Sequence, residues 1–287
     1  MENKEEKLFK MRHSLAHIMA AAVQRIYPDA KFGVGPAIND GFYYDIDLGD
    51  NKISENNFGK IEKAMRRIIV ESQDFVRSEV SIEDAINWAK ENNQPYKLEL
   101  LNDLKNAGTT NAKILAEGDF ELGDGAETVS FYTNGNYKDL CRGPHLSNTK
   151  EVGAFKLMRV AGAYWRGDEK NPQMQRLYGV AFETQEELDD YLRKMEEAKK
   201  RDHRKLGKEL DLYTVSPLVG IGLPLFTPRG TILRDVLANY SNQLRQKYGF
   251  EKVWTPHITK KDLYEKSGHW AKFGEELFLV KSQVTGG

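Results

Sequence analysis

The feature that most constrains this chain is a pair of histidines near its start, matched by a cysteine and a histidine much further along. His13 and His17 are four positions apart, and so are Cys141 and His145. Positions i and i+4 of a helix share one face, whereas Gly143–Pro144 within the second pair opposes a helix and favours a loop. We therefore expect a fold in which a helix face and a distant loop form one cleft lined by three imidazoles and a thiol.

The phase of the first helix separates the two histidines from its apolar stripe. At about 100° per residue, His13 and His17 lie opposite that stripe, beside the small residues Ala16 and Ala20. The stripe consists of Leu8, Met11, Leu15, Ile18, Met19, Ala22 and Ile26. The small neighbours leave room for something else to approach the histidines. Residue chemistry therefore favours a functional site over purely structural histidines.

Three imidazoles and a thiol support two kinds of chemistry. The set suits tetrahedral zinc, which binds nitrogen and sulfur ligands. It also suits a metal-free site, because imidazoles titrate near neutral pH and can move protons. Cys141 could be a zinc ligand, a nucleophile or a wall that selects by size, although a single thiol without a neighbouring helix N-terminus is a weak nucleophile candidate. The residues alone leave these alternatives open.

Composition and charge exclude several classes of protein. The chain has 287 residues, of which 40% are hydrophobic and 30% charged, as in a soluble protein of one large or two moderate domains. No apolar run approaches the roughly 18–20 residues of a membrane-spanning helix, and the charged start is not a secretory signal. A single cysteine fits a reducing cytoplasm. Because the net charge is −1, any nucleic acid has to be bound by local basic patches.

The first part of the chain has the pattern of an α+β fold. Residues 31–48 predict a hairpin that turns at Asn39–Gly41. Helices are expected at residues 55–74 and 82–92, with Ser81 as N-cap of the second. The β-branched and aromatic segments predict strands at residues 127–133, 153–164 and 175–183. Strands and helices do not alternate as a doubly wound sheet requires, so we expect an antiparallel sheet with helices.

A boundary follows these strands. Residues 184–187 resemble a capping box that opens a long linker helix, which we expect to reach about Lys208. Its basic second half is either a solvated linker or a strut that contacts phosphates through Lys200, Arg204 and Lys208. Beyond it, we expect a helix around residues 232–244 and strands at residues 251–256 and 277–280. The chain ends soon after the last of these, so we expect the second domain to be truncated.

Several motifs together closely resemble threonyl-tRNA synthetases. The first part matches the editing domain of that family in the segments His13–His17, Gly35–Asp45, Asp139–His145 and Ala161–Gly167. The second part resembles the passage into a class II catalytic core, including the first of its three signature motifs, in the segments Arg201–Tyr213, Gly222–Gly230, Thr255–Pro256 and Ser267–Trp270. The resemblance implies an editing domain at residues 1–183, a linker helix at 184–212 and the start of the catalytic domain at 213–287.

The resemblance also implies what this chain does. The second and third class II motifs, which carry ATP-binding arginines and zinc ligands in the family, are not found, nor is the anticodon-binding domain. We therefore expect no activation of threonine, but retained hydrolysis of serine wrongly attached to tRNA(Thr). The full-length protein is expected to be a cytoplasmic homodimer that binds threonine, tRNA(Thr), ATP, Mg and Zn. A free-standing deacylase and a non-catalytic tRNA-binding paralogue are the alternatives.

The family's site residues carry over onto matching positions. The catalytic set implied by the resemblance is His13, His17, Lys97, Asp139, Cys141 and His145, with Tyr44 and Arg142 binding substrate. Without the resemblance, Lys97 would be interpreted as a surface lysine and Tyr44 as an aromatic residue of the core. Related alanine-tRNA editing domains hold zinc with the same histidine and cysteine spacing, whereas the threonyl family generally works without it. We expect no obligatory metal, and the four clustered residues as ligands if zinc is bound.

Overall fold

The structure is a computed structural model that describes residues 3–107, 128–220 and 222–280. By its internal contacts the chain divides into two units, residues 1–199 and 200–287. The first unit combines helices with antiparallel strands, so the predicted α+β class is confirmed. In the part of the chain that the structure describes, no helix is long and apolar enough to cross a membrane.

The first unit contains two antiparallel sheets. The helices are α1 (Lys4–Ile26), α2 (Phe58–Val70), α3 (Ile82–Glu91), α4 (Pro95–Ala107) and α5 (Gln185–Lys200). The strands are β1 (Lys31–Phe32), β2 (Ala37–Ile38), β3 (Gly41–Asp47), β4 (Val76–Ser81), β5 (Thr128–Asn134), β6 (Tyr137–Leu140), β7 (Ala154–Tyr164) and β8 (Gln173–Phe182). The larger sheet has the order β1-β3-β8-β7 with β2 paired to β3, and the smaller sheet has the order β4-β5-β6.

Helix α1 is buried on both of its faces. It begins at the N-cap Asn3, whose side chain accepts a hydrogen bond from the backbone of Glu5. The apolar stripe packs in the core with α2 and β3, where Leu15 and Ile18 are fully buried. The opposite face is covered as well, because it contacts β6 of the smaller sheet. The histidine face of α1 therefore packs against the smaller sheet of the same unit.

Turn and cap signals placed several elements correctly. Strands β2 and β3 pair around the predicted turn, with Ile38 opposite Gly41. Ser81 caps α3 by accepting a hydrogen bond from Asp84 N at 3.1 Å. The helix expected at residues 55–74 begins as a 3-10 turn at Glu55–Asn57 and ends at Val70 instead of 74, because Ser72 takes a positive φ of 56°. Helix α4 and strands β4 and β6 were not predicted.

The expected long linker helix is wrong, because it is broken after Lys200. Asp202 takes the non-helical angles φ −57° and ψ 124° and caps a new helix, accepting a hydrogen bond from Arg204 N at 2.8 Å. At its start, Thr184 caps α5 as predicted, accepting from Glu187 N at 3.2 Å. A residue that can cap can also interrupt, since its side chain competes with the backbone for the N–H groups of the next turn.

The second unit is largely helical where it is described. Its elements are α6 (His203–Glu209), β9 (Tyr213–Thr214), β10 (Leu225–Phe226), α7 (Pro228–Lys247), α8 (Lys261–Lys266) and α9 (His269–Phe273). Helix α7 confirms the helix predicted around residues 232–244. The strands predicted at residues 251–256 and 277–280 are wrong, because neither segment pairs with another strand among the described residues. Without a partner strand an extended segment leaves its apolar side chains in solvent, as at Trp254 and Phe278.

Candidate active site

The two residue pairs converge on one cluster. His13 and His17 project from α1, Cys141 directly follows β6, and His145 lies in the loop beyond it. One potential ligand atom from each of the four residues lies within 4.8 Å of all the others. The sulfur of Cys141 is 3.3 Å from Nε2 of His13 and 3.2 Å from Nε2 of His145. The convergence expected from the spacing is therefore present in the structure.

The loop that carries Cys141 and His145 is shaped around a glycine. Gly143 has a φ of +79°, and a Cβ atom there would lie 2.5 Å from the hydroxyl of Tyr132. Only glycine satisfies both restrictions. Its backbone N–H donates to the sulfur of Cys141 at 3.3 Å. The imidazole of His145 stacks on Phe75, with 5.0 Å between ring centroids and an angle of 3°, so its orientation in the cluster is fixed by packing.

Burial keeps the cluster uncharged at neutral pH. It lowers the pKa of His13 to about 4 and lowers the pKa of His17 and of His145 well below the ordinary value for imidazole. Burial and the negative charge of Asp139 raise the pKa of the Cys141 thiol to about 12. Each imidazole therefore carries one N–H and one lone pair, and Cys141 is a protonated thiol, which is a poor nucleophile.

The surroundings of His13 show which of its nitrogens carries the proton. Nδ1 lies 3.1 Å from the backbone carbonyl oxygen of Pro144, which can only accept a hydrogen bond. Nδ1 therefore bears the proton and donates to Pro144. The lone pair on Nε2 faces the sulfur of Cys141. His13 is half-buried, and the lone pair on its Nε2 makes it a candidate base.

A buried ion pair lies beside the cluster. Lys97 Nζ is 2.6 Å from Oδ1 of Asp139, and both residues are only 3% exposed. Tyr44 donates its hydroxyl hydrogen to the same carboxylate and lies 3.3 Å from Lys97 Nζ. Burial, followed by the charge of Asp139, raises the pKa of Tyr44 well above its usual range, so its hydroxyl stays protonated. The three residues implied by resemblance therefore meet around one carboxylate.

His17 connects this network to the cluster, and one of its two ring nitrogens is left without a hydrogen-bond partner among the described residues. Its Nε2 lies 3.6 Å from Oδ2 of Asp139, a long contact that favours the proton on Nε2. Its Nδ1 is buried and has no hydrogen-bond partner among the described residues. A buried polar atom without a partner is costly, so this nitrogen is a candidate contact for a water molecule or a ligand group.

Two residues of the site, Ser14 and Tyr137, were not predicted from the sequence. Ser14, fully buried, has its Oγ 3.2 Å from Nδ1 of His145 and 3.0 Å from the backbone nitrogen of Leu146. Tyr137 places its hydroxyl 3.4 Å from that of Tyr44 and its ring edge against His17. Both had a signal. Ser14 follows the first histidine of its pair, and Tyr137 precedes Asp139 by two positions, which puts both on one face of β6.

The remaining sequence-predicted residues lie outside this cluster. Arg142 is exposed next to Cys141. Lys200, Arg204 and Lys208 belong to the second unit and are exposed, and Arg204 forms an ion pair with Asp202 at 2.8 Å.

The cluster also fits a zinc ion by its donor chemistry. One sulfur and three imidazole nitrogens are a common ligand set for this metal. The outward nitrogens of His13 and His145 are held by the carbonyl of Pro144 and by Ser14, as outer partners hold metal-binding histidines. The buried Nδ1 of His17 is a further candidate ligand atom. A metal-bound imidazole must present a lone pair, so Nε2 of His145 could not carry a proton in that state.

Comparison with known proteins identifies the family. Residues 129–178 match the family model "Threonyl and Alanyl tRNA synthetase second additional domain". A threonine–tRNA ligase of Cytophaga hutchinsonii is 47% identical over 93% of this chain and 38% of its own length. One of Gloeobacter violaceus is 47% identical over 95% of the chain and 41% of its own length. This chain is a homologue of the threonine–tRNA ligases.

The match covers almost the whole chain but only part of each ligase. The threonine–tRNA ligase of Clostridium acetobutylicum, for example, is 44% identical over 96% of this chain and 40% of its own length. The chain spans about 40% of the length of this relative, the N-terminal region that includes the editing domain. The family resemblance expected from the motifs is therefore confirmed.

Proposed function

We propose that this part of a threonine–tRNA ligase hydrolyses the ester of wrongly charged seryl-tRNA(Thr). The observation that carries the proposal is the convergence of three neutral imidazoles and a thiol beside a buried lysine–aspartate pair. Of these residues, Asp139, Cys141 and His145 lie in the region matched by the family model. By the same reasoning residues 1–183 form the editing domain, residues 184–212 the connection and residues 213–287 the first part of the catalytic domain.

The size of the discrimination problem explains why a second site is needed. Serine and threonine differ by one methyl group, which is worth only about 1–3 kcal/mol in a binding pocket. A hydrolytic site that accepts serine and has no room for the extra methyl removes the errors that remain. A buried, close-packed cluster such as this one suits that role, because packed interiors tolerate added volume poorly.

Ester hydrolysis needs a base, an acid and cover for negative charge. Nε2 of His13 is the base that takes a proton from water, since its tautomer is fixed by Pro144 and its lone pair faces the cluster. The imidazolium formed in this way is the acid that returns the proton to the ribose oxygen as its bond to the carbonyl carbon breaks. Lys97 supplies positive charge beside the developing oxyanion, and Asp139 holds that lysine in place. The unpartnered Nδ1 of His17 binds a group of the substrate. Tyr44 and Arg142 contact the aminoacyl end of the tRNA.

Zinc is a second candidate, favoured by the donor set. His13, His17, Cys141 and His145 would hold the ion, which would supply a more acidic bound water. We propose that it is not required, because Lys97 already places a cation next to the cluster. Hydrolysis by protein stripped of metal with a chelator, and shown by elemental analysis to be metal-free, should equal that of untreated protein. Loss of activity that zinc restores would establish the metal-dependent mechanism instead.

The wider roles follow from the family. The full-length protein is proposed to charge tRNA(Thr) with threonine in the cytoplasm, as a homodimer using ATP, Mg and Zn. Lys200, Arg204 and Lys208 are proposed to contact phosphates of the tRNA. A free-standing deacylase would need no part of a ligase core, and a non-catalytic paralogue would need no intact cluster. Both alternatives are therefore less consistent with this chain.

A paired assay tests the proposal. The chain should deacylate seryl-tRNA(Thr) much faster than threonyl-tRNA(Thr), because the proposed site accepts serine and excludes the additional methyl group of threonine. It should also show no threonine-dependent exchange between ATP and pyrophosphate. Stable seryl-tRNA(Thr) would refute the hydrolytic role, whereas measurable exchange would refute only the expectation that this chain does not activate threonine.

A further inference from the structure

Ser14 joins helix α1 to the loop that carries His145. Its side chain is fully buried, and its oxygen contacts two groups of that loop, Nδ1 of His145 at 3.2 Å and the backbone nitrogen of Leu146 at 3.0 Å. A serine inside a helix usually faces solvent or bonds to its own backbone. This one instead makes both of its contacts across to a segment that is distant in sequence.

The direction of these hydrogen bonds follows from what each partner can do. The backbone N–H of Leu146 can only donate, so the oxygen of Ser14 accepts from it. The buried hydroxyl hydrogen then needs an acceptor of its own, because leaving it unpaired is costly. Among the described residues, Nδ1 of His145 is the acceptor within reach. The hydroxyl therefore donates to Nδ1, and the proton of the neutral imidazole sits on Nε2.

We infer that Ser14 is a positioning residue that makes the two imidazoles beside Cys141 chemically unequal. His13 presents the lone pair of Nε2 to the sulfur, because its Nδ1–H is bound to Pro144. His145 presents an N–H to the same sulfur. The thiol hydrogen therefore points to His13, while the sulfur accepts from His145 and from the backbone N–H of Gly143.

This inequality divides the work of the proposed reaction. Of the two imidazoles next to the thiol, His13 presents a lone pair that can take up a proton, whereas His145 presents an N–H that can donate a hydrogen bond to a group in the cleft. A single hydroxyl thus separates a base from a hydrogen-bond donor within one cluster. This division of labour rests on the proposed hydrolysis, whereas the tautomers themselves do not.

The tautomers can be measured without any substrate. In protein with ¹⁵N-labelled histidine at neutral pH, His145 should show a protonated Nε2 and an unprotonated Nδ1. His13 should show the reverse. Single His13→Gln and His145→Gln variants assign the signals. A proton on Nδ1 of His145 would overturn the inference, whether or not the protein hydrolyses seryl-tRNA.

Variants then test whether Ser14 is the cause. Ser14→Ala should convert His145 to a mixture of tautomers and lower kcat for seryl-tRNA(Thr) at least about tenfold with little change in KM. Ser14→Thr keeps the hydroxyl and should restore both readouts. Thr149→Val is the matched control, because Thr149 is also fully buried and its hydroxyl also receives a backbone N–H, that of Gln73 at 2.9 Å. Thr149→Val should leave the tautomers and kcat unchanged.

Two outcomes would contradict the role of Ser14. The first is a folded Ser14→Ala protein that keeps the wild-type tautomer of His145 and the wild-type kcat. The second is an equal loss of kcat in Ser14→Ala and Thr149→Val. That result would mean that the loss follows from removing any buried hydroxyl, through stability, and not from the position of Ser14. Thermal melting of each variant separates unfolding from loss of position. If Ser14→Ala does not fold, the wild-type spectrum and the Ser14→Thr variant decide the question.

Discussion

At the scale of single residues, burial sets the chemistry of the cluster. It holds three imidazoles neutral and one thiol protonated, so the site depends on which nitrogen bears each proton and not on charge. The charged groups lie beside the cluster, in the ion pair of Lys97 and Asp139. Neutral bases beside a fixed cation are suited to proton transfer with stabilisation of a developing negative charge.

The pH dependence of hydrolysis should reveal the low pKa of His13. A base must be neutral to accept a proton, and a lowered pKa keeps it neutral to lower pH. With a pKa of about 4 for His13, kcat/KM should stay level from pH 7 to about 5 and fall only as the pH approaches 4. His13→Ala should lower kcat by roughly 10²–10⁴-fold. A fall centred near pH 6.5 would show that the base is an imidazole of ordinary pKa.

Breaking the buried ion pair should be costly for stability. Lys97→Met would leave the carboxylate of Asp139 buried without its cation, a change that typically costs about 3–5 kcal/mol. The double variant Lys97→Met with Asp139→Asn should recover part of that loss, because no unpaired carboxylate is then left in the interior. Denaturant titration measures both. Lys105→Met, at an exposed lysine paired with Glu83, is the control and should change the free energy of unfolding little.

Parts of this site were readable from the sequence and parts were not. The spacing of the two pairs placed the four clustered residues, because a helix repeat and a glycine–proline turn are local properties. Lys97 was visible only through resemblance, since its burial depends on a carboxylate from a distant strand. Ser14 was missed because its role depends on the tautomer of a residue in another segment.

At the scale of elements, the site depends on α1 lying between the two sheets. One face of this helix enters the apolar core, and the other brings its histidines against the end of β6. Local signals located the turns and caps of this unit. They failed where an interruption competes with a good helix pattern, as at Asp202, and where a strand needs a partner, as at residues 251–256.

The break at Asp202 changes the expectation for the basic segment without removing it. Lys200, Arg204 and Lys208 are exposed, and the surface pair of Arg204 with Asp202 is too weak to withhold the arginine from a phosphate. Neutralising all three should weaken tRNA binding and flatten the slope of log affinity against log salt by up to about 0.9 per lost phosphate contact.

The control for this variant removes the same charge elsewhere. Lys60, Lys63 and Arg67 are exposed on α2, and their replacement should leave affinity and salt slope close to wild type. Hydrolysis of bound seryl-tRNA(Thr) should be the same in both triple variants. If binding to tRNA changes equally in the two, the basic segment has no specific role and is a solvated connection.

At the scale of the whole molecule, the two units differ in how much core they contain. Every buried large apolar side chain in the described part of the chain lies at or before Leu188. In the second unit, Ile232, Val236 and Leu237 of α7 are all more than half exposed. Because buried apolar area supplies most of the stability of a fold, the first unit should be much the more stable.

Hydrogen exchange measured by mass spectrometry tests this difference. Amides of α1 and β3 should exchange slowly, through global unfolding, whereas those of α7 should exchange through local opening at much lower cost. Urea should unfold the second unit first. Equal protection of α1 and α7 would contradict the account, because it would require a core in the second unit that the described residues do not contain.

The most direct test of the central claim is where the substrate binds. A crystal structure of the protein with a non-hydrolysable analogue, seryl-adenosine joined by an amide in place of the ester, locates the aminoacyl group. We expect the scissile carbonyl to lie within hydrogen-bonding reach of His13, His17 and Cys141, with Lys97 and Asp139 alongside. An analogue bound away from these side chains would show that the cluster is not the hydrolytic site.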